Sequence, residues 1–207
     1  MALPGTHIRF ALDLQDVLVI SDLDAYISGT LYPDSRYFKK IDRELTHPKE
    51  LIADFLRADD FKKGWAVHLI CDRLQREIVS EHQPSIFDKD YDHEFVYFTA
   101  CKILQDMCDT REFDIARHVS SMNIVQAPNE ESVEQLEKYY GGIRRIYSSG
   151  GIMTVDRLLG IFNSTSEFEE FVKKIRIQCS EYEKSDGATR MFDMIYPEML
   201  ARARKIL

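Results

Sequence analysis

The spacing of apolar residues constrains this chain more than any other feature. They recur three and four positions apart over most of the sequence, and alternating stretches are scarce, so the pattern predicts amphipathic helices rather than strands. Pro4, Pro33, Pro48, Pro84, Pro128 and Pro197 fall mostly at the edges of the periodic segments. The clearest helix spans Phe61 to about Ser80, with Trp65, Leu69, Ile70, Leu74 and Ile78 on its inner face. Others are expected at about Tyr91–Cys108, Glu112–Ser120, Glu130–Ile146, Val155–Phe162, Ser166–Glu183 and Gly187–Ile206. Ser166 and Glu169 have the spacing of a capping box. Near the start, Thr6 reads as the N-cap of a helix carrying Ile8, Leu12 and Val19, and Asp22–Ser28 either continues it or forms a short second helix. Pro48 opens a further helix through Leu51, Phe55 and Leu56. Gly141-Gly142 and Gly150-Gly151 read as punctuation between helices. The expected fold is all-α, a single domain over residues 1–207 with about eight to ten helices and a loop or hinge near 148–151.

The chain carries 27 Lys and Arg against 35 Asp and Glu, a net charge of −8, which argues against a protein that coats nucleic acid or an anionic membrane. No apolar run approaches the roughly 20 residues needed to span a bilayer. The first segment is broken by Asp13 and Asp16 and lacks a basic start and a small-residue cleavage site, so no secretory signal is expected and the location is read as cytoplasmic. Cys71, Cys101, Cys108 and Cys179 form no CxxC pair and lie in apolar helical stretches, as reduced buried thiols do. Oligomeric state is not encoded in any pattern here.

Chemistry concentrates in the first third. His68 and Asp72 are four apart on the clearest helix, so their side chains leave one face about 5–6 Å apart at Cβ, close enough to converge on one metal. Pro33 disfavours helix before Asp34 and leaves that carboxylate on a loop. His47, in Thr46-His47-Pro48, stands at a helix entrance, and His7 lies in the first helical segment. Taken singly, each has a plain alternative: a helix-surface hydrogen bond for His68 and Asp72, a turn residue for Asp34, a cap for His47. Arg36 and Arg43 flank the candidate ligands and match phosphate oxygens as guanidinium forks, or pair with surface carboxylates. Lys102 and Asp106, four apart on a helix, could face the same cleft, and read more simply as a solvated i,i+4 pair.

In order, His7, then Gly29-Thr30-Leu31-Tyr32-Pro33-Asp34, then Thr46-His47, then His68 with Asp72 resemble the zinc-dependent phospholipase C family over roughly residues 5–80. The wider superfamily, all-α and including single-strand-specific nucleases, hydrolyses phosphate esters with up to three zinc ions. The resemblance implies a metal centre of Asp34, His47, His68 and Asp72, with Asp72 between metals, His7 serving a neighbouring ion, and Asp34 acting as general base or orienting the attacking water. The family's further His after the H-x-x-x-D and its H-x-x-x-E are missing here; His82, His93 and Glu94 are the candidate replacements, and one or two ions are expected rather than three. Three His nitrogens and two carboxylates suit zinc first, with manganese or iron as alternatives.

The expected function is metal-dependent hydrolysis of a small-molecule or lipid phosphoester. Two other readings remain open. One is an HD-type metal phosphohydrolase, although the chain has Asp92-His93 and no adjacent His-Asp. The other is a helical binding or scaffold protein with a vestigial metal site. Neither G-x-G-x-x-G, nor G-x-x-x-x-G-K-[ST], nor G-x-S-x-G occurs, so nucleotide-phosphate loops and serine hydrolase chemistry lack support.

Overall fold

One long helix, Asp60–His82, forms the axis about which the others are arranged. The structure is a computed structural model and describes residues 2–36, 41–48, 50–111, 113–120, 122, 126–129, 131–148, 153–160 and 166–207, without the side chains of residues 54 and 166–168. The main helices are α1 (Pro4–Leu12), α2 (Leu23–Leu31), α3 (Asp60–His82), α4 (Tyr91–Thr110), α5 (Val133–Tyr147), α6 (Ser166–Glu183) and α7 (Asp186–Ile206). Shorter helical pieces lie at Gln15–Leu18, Arg43–Thr46, Leu51–Asp54, Ile115–Ser120 and Val155–Leu159, with 3₁₀ turns at Tyr32–Ser35, Phe55–Arg57 and Pro84–Ile86. No strand occurs among the described residues, and the fold is all-α.

Helix α3 starts where Asp59 accepts the N–H of Lys62 as N-cap, and its middle is buried on nearly every side, from Phe61 through Val79 with few interruptions. Helix α2 lies along one flank of it and α7 along another, while α1 rests on α2, α3 and α4, and α6 packs against α4 and α7. Helix α5 docks onto α2 through two tyrosine hydroxyls, Tyr139 donating to Leu31 O (2.7 Å) and Tyr140 to Ser28 O (3.0 Å).

The α2–α3 contact depends on two glycines. A Cβ on Gly64 would stand 2.0 Å from Tyr26 O, and one on Gly29 would stand 1.9 Å from Phe61 O. Both helices therefore touch backbone to backbone, a distance that only glycine permits at these positions.

Several boundaries differ from expectation for identifiable reasons. Thr6 is not an N-cap: α1 begins at Pro4, and the Thr6 N–H is satisfied by Asp106 from α4 instead of by a local side chain (2.7 Å). Val19 does not continue α1 but sits at φ 51, the left-handed end of the Gln15–Leu18 turn, and α2 starts afresh with Asp22 as its cap. The segment after Pro48 splits into Leu51–Asp54 and a 3₁₀ turn at Phe55–Arg57. Gly141 and Gly142 lie inside α5 rather than between helices, and Pro197 is inside α7. A capping box forms at Ser132 and Gln135, whereas the one expected at Ser166 falls on side chains outside the described set. The hinge expected at 148–151 lies, Ser148 apart, outside the described residues. All four cysteines are free thiols, Cys71, Cys101 and Cys179 buried. No helix of the described residues is long and apolar enough to cross a membrane.

Substituting Gly64→Ala is expected to cost about 2–3 kcal/mol, because backbone rather than a flexible side chain must yield. Gly141→Ala, with nothing within 4 Å of the new methyl group, is expected to gain about 0.5–1 kcal/mol. Thermal melts of the two variants beside the wild type check both signs.

Candidate metal centre

Helix α3 carries His68 and Asp72 inward, one turn apart. Tyr32–Ser35 continues directly from α2, and Pro33 in its first turn sets the 3₁₀ path that swings Asp34 toward α3. Thr46 is held by Trp65, whose indole Nε1 donates to Thr46 O (2.6 Å), and this pins the end of the Arg43–Thr46 helix so that His47 faces α3. His7 comes from α1. The five expected ligands thus arrive from four separate segments, as two overlapping groups: His7, His68 and Asp72, and Asp34, His47 and His68, each with ligand atoms within 4.8 Å of one another. These groups could hold a metal ion.

The protonation pattern of the imidazoles follows from their outer contacts. His68 Nδ1 is 2.8 Å from Thr30 O, and a carbonyl only accepts, so Nδ1 carries the hydrogen. The Thr46 hydroxyl donates to Arg43 O (3.3 Å), which leaves its oxygen to accept from His47 Nδ1 (2.9 Å). In the neutral rings both Nε2 atoms are therefore bare, and both face Asp72 Oδ2, at 3.4 Å from His68 and 3.6 Å from His47. Asp34 Oδ1 stands 3.9 Å from His68 Nε2. His68 Nε2, His47 Nε2 and Asp34 Oδ1 are buried and have no hydrogen-bond partner among the described residues.

Distance discriminates between the two cations that could join these atoms. A shared proton draws nitrogen and oxygen to about 2.7–3.2 Å. Ligands bonded at about 2.0–2.2 Å to one tetrahedral ion are about 3.3–3.6 Å apart. The separations of 3.4 and 3.6 Å match the second figure, and 3.9 Å lies slightly beyond it.

His7 occupies a different position. Its ring stacks on that of His68 with centroids 3.8 Å apart and planes at 12°, so their in-plane lone pairs run nearly parallel and do not meet at a point about 2 Å from each. His7 Nε2 instead approaches the other Asp72 oxygen, Oδ1, at 3.3 Å. That oxygen also accepts the Ala2 N–H at 2.6 Å. Asp72 consequently turns one oxygen to His47 and His68 and the other to His7.

Electrostatics follow burial. Desolvation pushes the His7 and His47 imidazoles below the ordinary histidine value, Asp72 opposing the shift in both. Burial lifts the Asp34 carboxyl above its ordinary value, His68 working against the shift and Asp72 adding to it. Burial acts on Asp72 in the same direction, but the His68 and His47 rings oppose it, and that carboxyl lies well below the usual range.

A second buried network holds α1, and with it His7. Asp106 accepts the Thr6 N–H through Oδ1 (2.7 Å) and the Tyr147 hydroxyl through Oδ2 (2.9 Å), and Tyr147 also accepts the Gly5 N–H (3.2 Å). Asp109 accepts the Thr6 hydroxyl (2.8 Å) and Gln105 Nε2 (2.6 Å). Two carboxyl groups thereby serve the open N-terminus of α1, where helix dipole and bare N–H groups favour negative charge. Asp106 does not form the expected pair with Lys102: its oxygens are committed to α1 and α5.

Of the remaining sequence candidates, Arg36 is half-buried beside Asp34, its charge favouring the ionised carboxylate, and Arg43 is exposed. His82 meets Glu198 (3.3 Å), His93 stacks on Tyr97 (3.9 Å) and Glu94 pairs with Arg76 (2.6 Å), and neither group of converging ligands includes them. The Thr30 carbonyl and the Ala2 N–H left no trace in the sequence, because any residue supplies a main-chain group. Comparison of the chain with known protein families, with curated proteins and with solved structures gives no match.

Burial raises the Asp106 carboxyl to about 6 and that of Asp109 to about 7. An unfolded carboxyl titrates near 4, so the folded state binds more protons between about pH 4 and 7, and this contribution to stability declines as pH rises through that window. In urea titrations the wild type is expected to gain on Asp109→Asn as pH falls from 8 to 5.5, those two values being chosen to lie about either side of the native titration. A gap independent of pH would contradict the assignment.

Proposed function

We propose that the chain is a metal-dependent hydrolase of phosphate esters, with one or two divalent ions held by His47, His68, Asp34, Asp72 and, toward the other Asp72 oxygen, His7. The observation that carries the metal is that the buried Nε2 atoms of His68 and His47, without hydrogen-bond partners among the described residues, stand 3.4 and 3.6 Å from Asp72 Oδ2, with Asp34 Oδ1 3.9 Å from His68 Nε2: too far for a shared proton and, for the first two, right for a shared ion. The reaction class rests on the resemblance of the ordered His and Asp series to the zinc-dependent phospholipase C family. Zinc suits the mixed nitrogen and oxygen donors, and manganese and iron suit them too.

When bound, such an ion offsets phosphoryl charge and lowers the pKa of a water toward about 7. The protein's own contribution is position and proton traffic. Thr30 and Thr46 fix the imidazole tautomers so that Nε2 faces inward in both rings. Asp34, its proton affinity raised by burial, is placed to accept the proton of an attacking water, and Arg36 beside it supports the substrate phosphate. Substrates are small-molecule or lipid phosphoesters.

Elemental analysis of the purified chain, with p-nitrophenyl phosphate and its bis-ester as substrates, tests this. The wild type is expected to hold stoichiometric zinc, manganese or iron and to lose activity on chelation. His68→Ala is expected to lose the metal, and Asp34→Asn to keep at least part of it while hydrolysis falls by about 100-fold or more. A metal-free wild type after growth in metal-replete medium would sink the proposal. Metal uptake with neither ester cleaved would favour a binding module.

A further inference from the structure

Half-buried cations of this protein generally have partners. Arg202 pairs with Glu81 (2.5 Å), Arg144 pairs with Glu137 (3.1 Å), and Arg9 donates to Asp109 O and covers Tyr196. Lys102, on α4, is different. It is half-buried and its ammonium makes no hydrogen bond or ion pair with any described residue; its contact is the face of Phe98, at 4.7 Å from the ring centroid. Its neighbours on the same face of α4 bracket the candidate centre: Asp106, one turn later, binds the Thr6 N–H beside His7, and Phe98, one turn earlier, lies under Arg76, which follows Asp72 by one turn on α3.

An ammonium beside a cation site needs a reason. Asp34 and Asp72 together carry the charge that balances one divalent ion, so Lys102, with Arg36 beside Asp34, leaves the filled centre positive. That excess opposes metal binding and becomes favourable only when an anion joins the two cations. Phe98 holds the ammonium by cation–π attraction, which leaves its three N–H donors available to a ligand.

We propose that Lys102 is a substrate-binding residue that takes a non-bridging oxygen of the phosphoryl group, so that the centre selects an anionic ester over a neutral one. The inference rests on the metal-hydrolase reading and deepens it. It also reassigns a residue whose i,i+4 partner, Asp106, is engaged elsewhere.

The test uses the full chain loaded with cobalt(II), whose visible absorption reports on coordination, titrated with inorganic phosphate. Lys102→Gln, and Lys102→Met, which keeps an alkyl stem on Phe98, are expected to take up cobalt with wild-type stoichiometry and spectrum. Their phosphate affinity is expected to fall by about ten-fold or more, the loss of one charge-assisted hydrogen bond, while Lys102→Arg stays within about three-fold of the wild type. Unchanged phosphate affinity in the folded Met variant overturns this proposal and leaves the metal centre standing. A wild type that takes up neither cobalt nor zinc overturns both.

Discussion

The backbone contact between α2 and α3 sets the geometry on which the candidate centre depends. Gly29 and Gly64 remove the side chains that would separate these helices, and the helices close until main-chain atoms touch. At that separation Thr30 O reaches His68 Nδ1, and the turn that follows α2 delivers Asp34 to the face of α3 where His68 and Asp72 lie. The remaining supports act on the same scaffold. Trp65, one turn before His68, fixes Thr46 and hence His47, and the α4 carboxylates fix the start of α1 and hence His7. Ligands from four segments share one helix as their common reference.

Such an arrangement runs against stability taken alone. Buried donors and acceptors without partners each cost about 1–3 kcal/mol, and a core of this size would be served better by apolar residues at the same positions. Here the buried atoms of His7, Asp34, His47 and His68 that lack hydrogen-bond partners among the described residues cluster around Asp72, and the outer nitrogens of His68 and His47 are satisfied by Thr30 and Thr46. Local rules broken at one place and obeyed around it are the pattern expected of a functional site. The same logic separates Lys102 from the other half-buried cations: its contact is the face of Phe98, with no carboxylate or carbonyl paired to its ammonium among the described residues.

The helical class and the identity of the buried faces were legible because three- and four-residue spacing survives in one sequence without any knowledge of neighbours. Asp60–His82, Tyr91–Thr110 and Ser166–Glu183 follow that spacing closely. Boundaries failed where distant groups replaced local ones. Thr6 has the chemistry of an N-cap, but Asp106, a hundred positions later in the chain, takes the task, so α1 starts earlier. His68 and Asp72 could be paired from their spacing alone, whereas bringing His7, Asp34 and His47 to them required the order of a family pattern. The division of the centre between the two Asp72 oxygens depends on the stacking of His7 on His68, which no linear motif encodes. Asp106 and Lys102 share a helix face at the right spacing for a pair, and only the surrounding helices reveal that each faces a different task.

The clamp of Thr6, Asp106 and Tyr147 has a consequence for how the chain can be divided. The residues of the candidate metal centre all occur before residue 73, and on paper they form a detachable module. Yet the first turn of α1 is completed by α4 and α5, and Tyr139 and Tyr140 bind the last turn of α2 from the same α5. A fragment ending after α3 would carry every ligand and lack the groups that aim two of them. The ligands are local in sequence, but their geometry belongs to the whole bundle, so the centre cannot be transplanted as a peptide or inherited as a motif.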